Sequence, residues 1–202
     1  MDDKLIDFHL FGDFIFDMDI LFPGDPTANK ERIEEYKEYY KVKYSICKII
    51  NPKVIAEIGV RAGYSAWSFL KATPNAVYYG FDANNNTHGG QGNVDFRYWK
   101  WAEKILKNFS HELIILDTQK VDYLPVVNID LFHIDGDHST DGVIHDLDLA
   151  YKTMRSGGFM LVDDVTHLSS VRTGVKKWLN NNESTCSWQY INSFRGECLI
   201  KV

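Results

Sequence analysis

Five short apolar stretches recur between helical patterns, and each ends in or beside an acid. They are Val54–Ile58 with Glu57, 76–81 before Asp82, 112–116 before Asp117, Ile129–Ile134 before Asp135, and 159–162 before the pair Asp163-Asp164. Runs this short and this apolar suit strands buried on both faces. Between them, apolar residues recur every three to four positions. Such patterns cover 64–71, 96–109, 143–154, where Gly157-Gly158 is expected to break the helix, and roughly 168–180, and an earlier one covers 29–50 through Ile33, Tyr36, Tyr40, Tyr44 and Cys47. Two more strand-like runs, 188–191 and 197–202, flank Phe194-Arg195-Gly196 and read as a closing antiparallel hairpin. Strands alternating with helices predict an α/β fold with a doubly wound, mostly parallel seven-stranded sheet. Ligands of such sheets bind at the carboxyl ends of the strands. Five acids on that rim make it the expected site.

The first strand ends in EIGVRAGYS (57–65). Gly59 and Gly63 bracket a tight turn into a helix, a device that brings backbone N–H groups close to a ligand. The spacing is E-x-G-x-x-x-G-x-S, whereas a dinucleotide-binding turn reads G-x-G-x-x-G. An acid after the second strand, Asp82, can accept two hydrogen bonds from ribose hydroxyls, which serves either kind of nucleoside cofactor. Helix or turn capping is its plainer role. NNNTHGGQGN (84–93) is polar and glycine-rich, a loop expected to order around a ligand.

Asp135, Asp163 and Asp164 are expected together at adjacent strand ends. Two bare carboxylates about 4 Å apart repel by about 4 kcal/mol at an effective dielectric near 20. A cation or shared protons must relieve this. Oxygen ligands suit Mg²⁺, Ca²⁺ or Mn²⁺ better than zinc. Successive residues of a strand point to opposite faces, so Asp163 and Asp164 both reach one ion only if the strand has already ended. A solvated acidic turn is the alternative.

Composition narrows the classes. At 202 residues and 45% hydrophobic, the chain supports one substantial core. A net charge of −6 argues against broad phosphate-driven nucleic-acid binding, although Arg61, Arg97 and Lys100 fall near the rim. Cys47, Cys186 and Cys198 are odd in number and lack CxxC spacing, so they read as reduced core thiols. No run approaches the roughly 18 apolar residues that span a bilayer. Met1-Asp2-Asp3 is not the basic start of a signal peptide, and a cytoplasmic protein is the expectation. Residues 1–28 interleave phenylalanines with aspartates and close on FPGDP (22–26), turn chemistry that divides an N-terminal arm from a domain at 29–202. A packing strap, a roof over a substrate pocket and a contact in a homo-oligomer are all open readings of the arm.

EIGVRAGYS, FHIDGDHSTDGVIHDL and GGFMLVDDV together resemble class I S-adenosylmethionine (SAM) dependent methyltransferases with a Rossmann-like fold. The likeness covers roughly residues 50–180. It is nearest to the small O-methyltransferases of the macrocin O-methyltransferase and cephalosporin hydroxylase-like branch. The resemblance implies SAM held by Glu57, Gly59, Gly63, Ser65 and Asp82, with Asp117 and Thr118 near the adenine. It implies a divalent metal, magnesium first, on Asp135, Asp163 and Asp164, and a catalytic base at His138 or Asp137. His138 has the better intrinsic pKa for a base, although it could equally ligate the metal or cap the helix that follows. His133 and His145 read as packed or surface residues, and His167 as a weaker candidate for the pocket. The implied reaction is metal-assisted O-methylation of a small hydroxylated molecule, a sugar or catechol-like diol. A SAM-fold binding or scaffold protein without turnover, a nucleic-acid methyltransferase and a nicotinamide-dependent oxidoreductase are the competing readings.

Overall fold

The computed structural model describes residues 4–25, 32–85, 88 and 96–202. Most of the 84–93 loop and the start of the 29–50 helical pattern lie outside the described residues. Seven strands form one sheet in the order β3-β2-β1-β4-β5-β7-β6. The strands are β1 (Val54–Ile58), β2 (Val77–Asp82), β3 (His111–Ile115), β4 (Ile129–Ile134), β5 (Met154–Val162), β6 (Ser187–Ile191) and β7 (Glu197–Lys201). β1 to β5 pair in parallel. β7 runs antiparallel to both β5 and β6, so the closing hairpin is the one the sequence predicts.

The helices are α1 (Ile33–Ile50), α2 (Tyr64–Ala72), α3 (Arg97–Leu106), α4 (Thr140–Thr153) and α5 (Ser169–Asn181). Alternate strand residues feed two cores. Ile55, Tyr78, Leu131 and Leu161 face α1, α2 and α3. Ala56, Phe81, Phe132 and Met160 face α4 and α5. The period-two alternation of the sheet thus explains why every position of β4 is buried.

The arm lies on the α1–α2 face. Ile6, Phe14, Phe16 and Ile20 are buried there, and Phe16 stacks on Tyr40 with ring centroids 5.1 Å apart. Backbone bonds fasten it, from Phe11 N–H to Ser45 Oγ (3.1 Å) and from Phe22 N–H to the Tyr64 hydroxyl (2.7 Å).

One local expectation fails. Gly157-Gly158 do not break a helix, because α4 already ends at Thr153 and both glycines lie within β5. Gly157, at φ +75°, donates its N–H to the Val202 carbonyl (2.6 Å), which carries the pairing of β5 with the C-terminal strand past the end of β7.

β1 and β4 are neighbours from which the chain winds in opposite directions, first to β2 and β3, then to β5. The carboxyl ends of β1 and β4 are therefore the switch point of the sheet, where a crevice must open.

Candidate active site

At the exit of β1, Gly59 has φ +93°, and a Cβ there would stand 1.9 Å from the carbonyl oxygen of Asp135. Only glycine fits so close to the end of β4. The Gly59 N–H donates to the Phe81 carbonyl (2.8 Å), and the Asp135 N–H to the Ile58 carbonyl (2.9 Å), so three strand ends are tied together. Gly63, at φ +79°, precedes the first turn of α2. Between the glycines, the Arg61 N–H donates to Asp82 Oδ2 (2.8 Å), while Asp82 Oδ1 accepts from Asn84 N–H (2.6 Å). The Asp82 carboxylate is fixed against the glycine turn.

A cavity of about 450 Å³ opens here. Gly59, Ser65, Asp82 and Thr118 line one part of it, and Tyr36, Tyr39, Tyr40, His138, His167 and Arg195 line another. Of the residues expected to hold a cofactor, these first four reach the wall. Gly63 lies behind it, its Cα side against Ala102. Asp117 caps the short 3₁₀ turn Thr118–Lys120 and pairs with Lys120 (2.8 Å) and His88 (2.9 Å). Glu57 is buried in the α1 layer and does not reach the wall; there it accepts from the Tyr78 hydroxyl and contacts His133 Nδ1 (2.7 Å).

The expected catalytic and metal residues divide in the same manner. His138 Nε2 lies 3.1 Å from Asp135 Oδ1 and 3.9 Å from Asp164 Oδ2. One donor atom from each of the three falls within 4.8 Å of the others. The hydrogen bond to Asp135 raises the His138 pKa to about 9 against the opposing effect of burial, with help from the charges of Asp164 and Asp163. Burial, with Asp135 and Asp163 nearby, pushes Asp164 up to about 6, although Arg195 Nη1 contacts both its oxygens (3.2 and 3.3 Å).

Asp163 is not in that group. β5 ends at Val162, and Asp163 turns into the α1 layer, where it is fully buried. Its Oδ2 accepts from Lys43 Nζ (2.9 Å) and from the Tyr39 hydroxyl, and its Oδ1 accepts the Asp164 N–H (2.8 Å). Burial opposes ionisation, but the Lys43 charge and the Tyr39 hydrogen bond outweigh it and hold this carboxyl well below the usual range. Lys43 spends its other two donors on Glu197 Oε1 (3.0 Å) and His133 Nε2 (3.1 Å). A charged lysine must donate to that nitrogen, so His133 accepts there and presents Nδ1–H to Glu57. His133 is thus a packed residue, and His145 is a structural one that bonds the Thr118 carbonyl (2.9 Å).

Asp137 is occupied locally, accepting from Ser139 N–H (2.7 Å) and contacting His88 Nδ1 (3.2 Å). The cap of α4 is Ser139, whose Oγ accepts from Gly142 N–H (3.1 Å), which leaves His138 free of that role.

Sequence reasoning missed Tyr39 and Arg195, which line the cavity, and Lys43, which holds Asp163 away from it. Lys43 carried a signal, since it interrupts the apolar stripe Tyr36-Tyr40-Cys47 of an amphipathic helix, where a lysine needs a buried partner. Arg195, in a hairpin turn, carried none.

The sheet order and a cavity at its switch point define a Rossmann-like α/β protein. Residues 56–165, over half of the chain, match the family described as Methyltransferase domain, and the chain belongs to that family. This membership removes the nicotinamide-dependent oxidoreductase reading. Solved structures agree in fold. The O-methyltransferase TomG from Streptomyces achromogenes, in complex with SAM, is 17% identical, with 81% of this chain and 79% of that one covered and a TM-score of 0.59. An O-methyltransferase from Bacillus cereus with S-adenosylhomocysteine (SAH) is 14% identical, covering 81% and 80%, at 0.58. The O-methyltransferase NovP is 13% identical, covering 82% and 79%, at 0.61. No curated protein sequence matches the chain. Among the described residues, no helix is long and apolar enough to cross a membrane.

Proposed function

We propose that this chain is a SAM-dependent O-methyltransferase acting on a hydroxyl of a small molecule. One observation carries the reading: a single cavity joins the glycine turn and Asp82 to the His138–Asp135 pair. Gly59, Ser65, Asp82 and Thr118 would hold SAM, which supplies a methyl group already activated on a sulfonium. TomG, the Bacillus cereus protein and NovP are O-methyltransferases, and the first two hold SAM or SAH. The remaining task of the protein is to hold the acceptor oxygen in line and take its proton. His138 is the base in this reading. Asp135 orients its ring, and Asp137 is less suited because its carboxylate is committed to Ser139 and His88. Tyr36, Tyr39 and Tyr40 form an aromatic wall suited to a catechol-like ring or the apolar face of a sugar.

A second reading of hydroxyl activation is favoured by the close donors of Asp135, His138 and Asp164. Two carboxylates and an imidazole form a set that fits a divalent cation, which at this place would lower the pKa of a substrate hydroxyl. His138 would then be a ligand and not the base. Asp163, sequestered by Lys43, is not in this set.

The test is transfer of a labelled methyl group from SAM to a panel of catechols and sugars, with Mg²⁺, with Mn²⁺ and with EDTA. Turnover that Asp135→Ala abolishes while SAH still binds supports the enzyme. SAH binding without transfer to any acceptor favours the scaffold reading. Turnover unaffected by EDTA selects His138 as base.

A further inference from the structure

We propose that Asp25, in the N-terminal arm, positions Arg61 as the cationic contact for the carboxylate at the amino-acid end of the cofactor. The inference rests on the proposed use of SAM and adds a residue from outside the methyltransferase match. Asp25 is buried, yet its two oxygens serve two residues of the cavity wall. Oδ1 takes Arg61 Nη2 (2.9 Å), and Oδ2 takes the Tyr64 hydroxyl (3.0 Å). The same hydroxyl accepts the Phe22 N–H (2.7 Å), so two arm residues are stapled to the turn that follows β1. The Arg61 guanidinium also lies over the Tyr98 ring, 4.4 Å from its centroid.

Arg61 is held at both ends. Its backbone is left-handed, at φ +48°, a region that non-glycine residues seldom occupy and that persists only where the surroundings dictate it. The dictating bond is from its N–H to Asp82. The residue that fixes the ribose-reading acid thus carries a clamped cation on its side chain.

Three arginines line the cavity, and the other two are placed for other tasks. Arg195 is paired with Asp164 beside His138, at the reacting end. Arg32, at the start of α1, is paired with Glu35 and lies over Phe194 (5.2 Å). Arg61 alone of the three sits on the glycine turn. SAM carries one formal negative charge, its carboxylate, and a guanidinium with a fixed plane is the group best shaped to take it.

Two ligands that differ only in that carboxylate, SAH and S-adenosyl-3-thiopropylamine, isolate the contact. Calorimetric titration of the full chain should show wild type preferring SAH by about tenfold or more, the worth of one charge-assisted pair. Arg61→Met and Asp25→Asn should each bring the two affinities near parity, with S-adenosyl-3-thiopropylamine binding changed less than about threefold, and Asp25→Glu should restore part of the preference. If Asp25→Asn does not fold, Tyr64→Phe, which removes the hydroxyl shared by Phe22 and Asp25, reads the same positioning. An unchanged preference in the folded variants, or equal loss of both ligands, would overturn the inference. A wild type that binds neither ligand would overturn the proposed function, and this inference with it.

Discussion

Lys43 and Asp163, 120 positions apart, meet at 2.9 Å with neither side chain exposed to solvent. The pair joins α1 to the end of β5. Through the bond from Asp164 N–H to Asp163 Oδ1 it also holds the left-handed turn (φ +58°) that brings Asp164 beside Asp135 and His138. Lys43→Met leaves Asp163 and Glu197 buried without their cation. Removing one partner of a buried pair costs about 3–5 kcal/mol, and chemical denaturation should show a loss of that order. Lys43→Arg, which keeps the charge but not the shape, should lose less.

His138 makes stability depend on alkaline pH. Its folded pKa, raised to about 9 by Asp135, lies above the ordinary value of 6.5. A raised basic group contributes fully below the unfolded pKa, and that contribution is lost as pH rises through about 9. Wild type should therefore exceed His138→Gln by about 1–2 kcal/mol at pH 6, discounted because the side chain is 31% exposed. The gap should close by pH 10, as thermal melts of both proteins would show. The same pKa governs the base. Without added metal, methyl transfer should climb up to about pH 9. A cation on His138 would compete with the proton and move the climb to lower pH.

Asp146 acts in the same sense at lower pH. It is buried beneath both walls of the cavity, accepting from Thr118 Oγ (2.7 Å) and Gln119 Nε2 (2.8 Å), and burial pushes it up to about 6. The unfolded chain ionises near 3.8, so folding loses stability as pH rises from there through about 6. Asp146→Asn cannot titrate. The stability difference between variant and wild type should therefore move in favour of asparagine by about 2–3 kcal/mol between pH 4 and pH 7, whatever its sign at pH 4.

Gly59→Ala should fail structurally. A Cβ 1.9 Å from the Asp135 carbonyl oxygen forces β1 and β4 apart where they hold the cavity, and the positive φ adds strain. Expected outcomes are a melting temperature lowered by 10 °C or more, on the order of several kcal/mol, and loss of SAH binding in whatever material folds.

Much of this was legible in the sequence because it follows from local periodicity. The alternation of apolar runs and helical patterns gives the seven strands, and acids at the ends of buried strands mark the rim. What was not legible is the direction of individual side chains. Glu57 and Asp163 both belong to rim motifs, yet both point into the α1 layer. Glu57 shares its face of β1 with Ile55, and Asp163 turns there one residue past β5. Their partners, His133 on β4 for Glu57 and Lys43 on α1 for Asp163, are far away in the chain, and no motif spacing connects them. Asp164, one residue on, lies beside Asp135 and His138 with a left-handed backbone, which no short pattern announces. The turn chemistry at Gly157-Gly158 misled for a related reason, since glycine with positive φ also occurs where a strand shifts register, as β5 does against β4.

In the proposed function, the crevice between β1 and β4 binds an adenosyl amino acid through the glycine turn and Asp82. Isothermal titration calorimetry with SAH tests it most directly. Wild type should bind one equivalent with micromolar or tighter affinity, Asp82→Ala should weaken binding at least about tenfold, as expected for loss of hydrogen bonds to a charged group, and His138→Ala should bind within about threefold of wild type. No saturable heat from folded wild type, or an Asp82→Ala variant that binds as well, would contradict it.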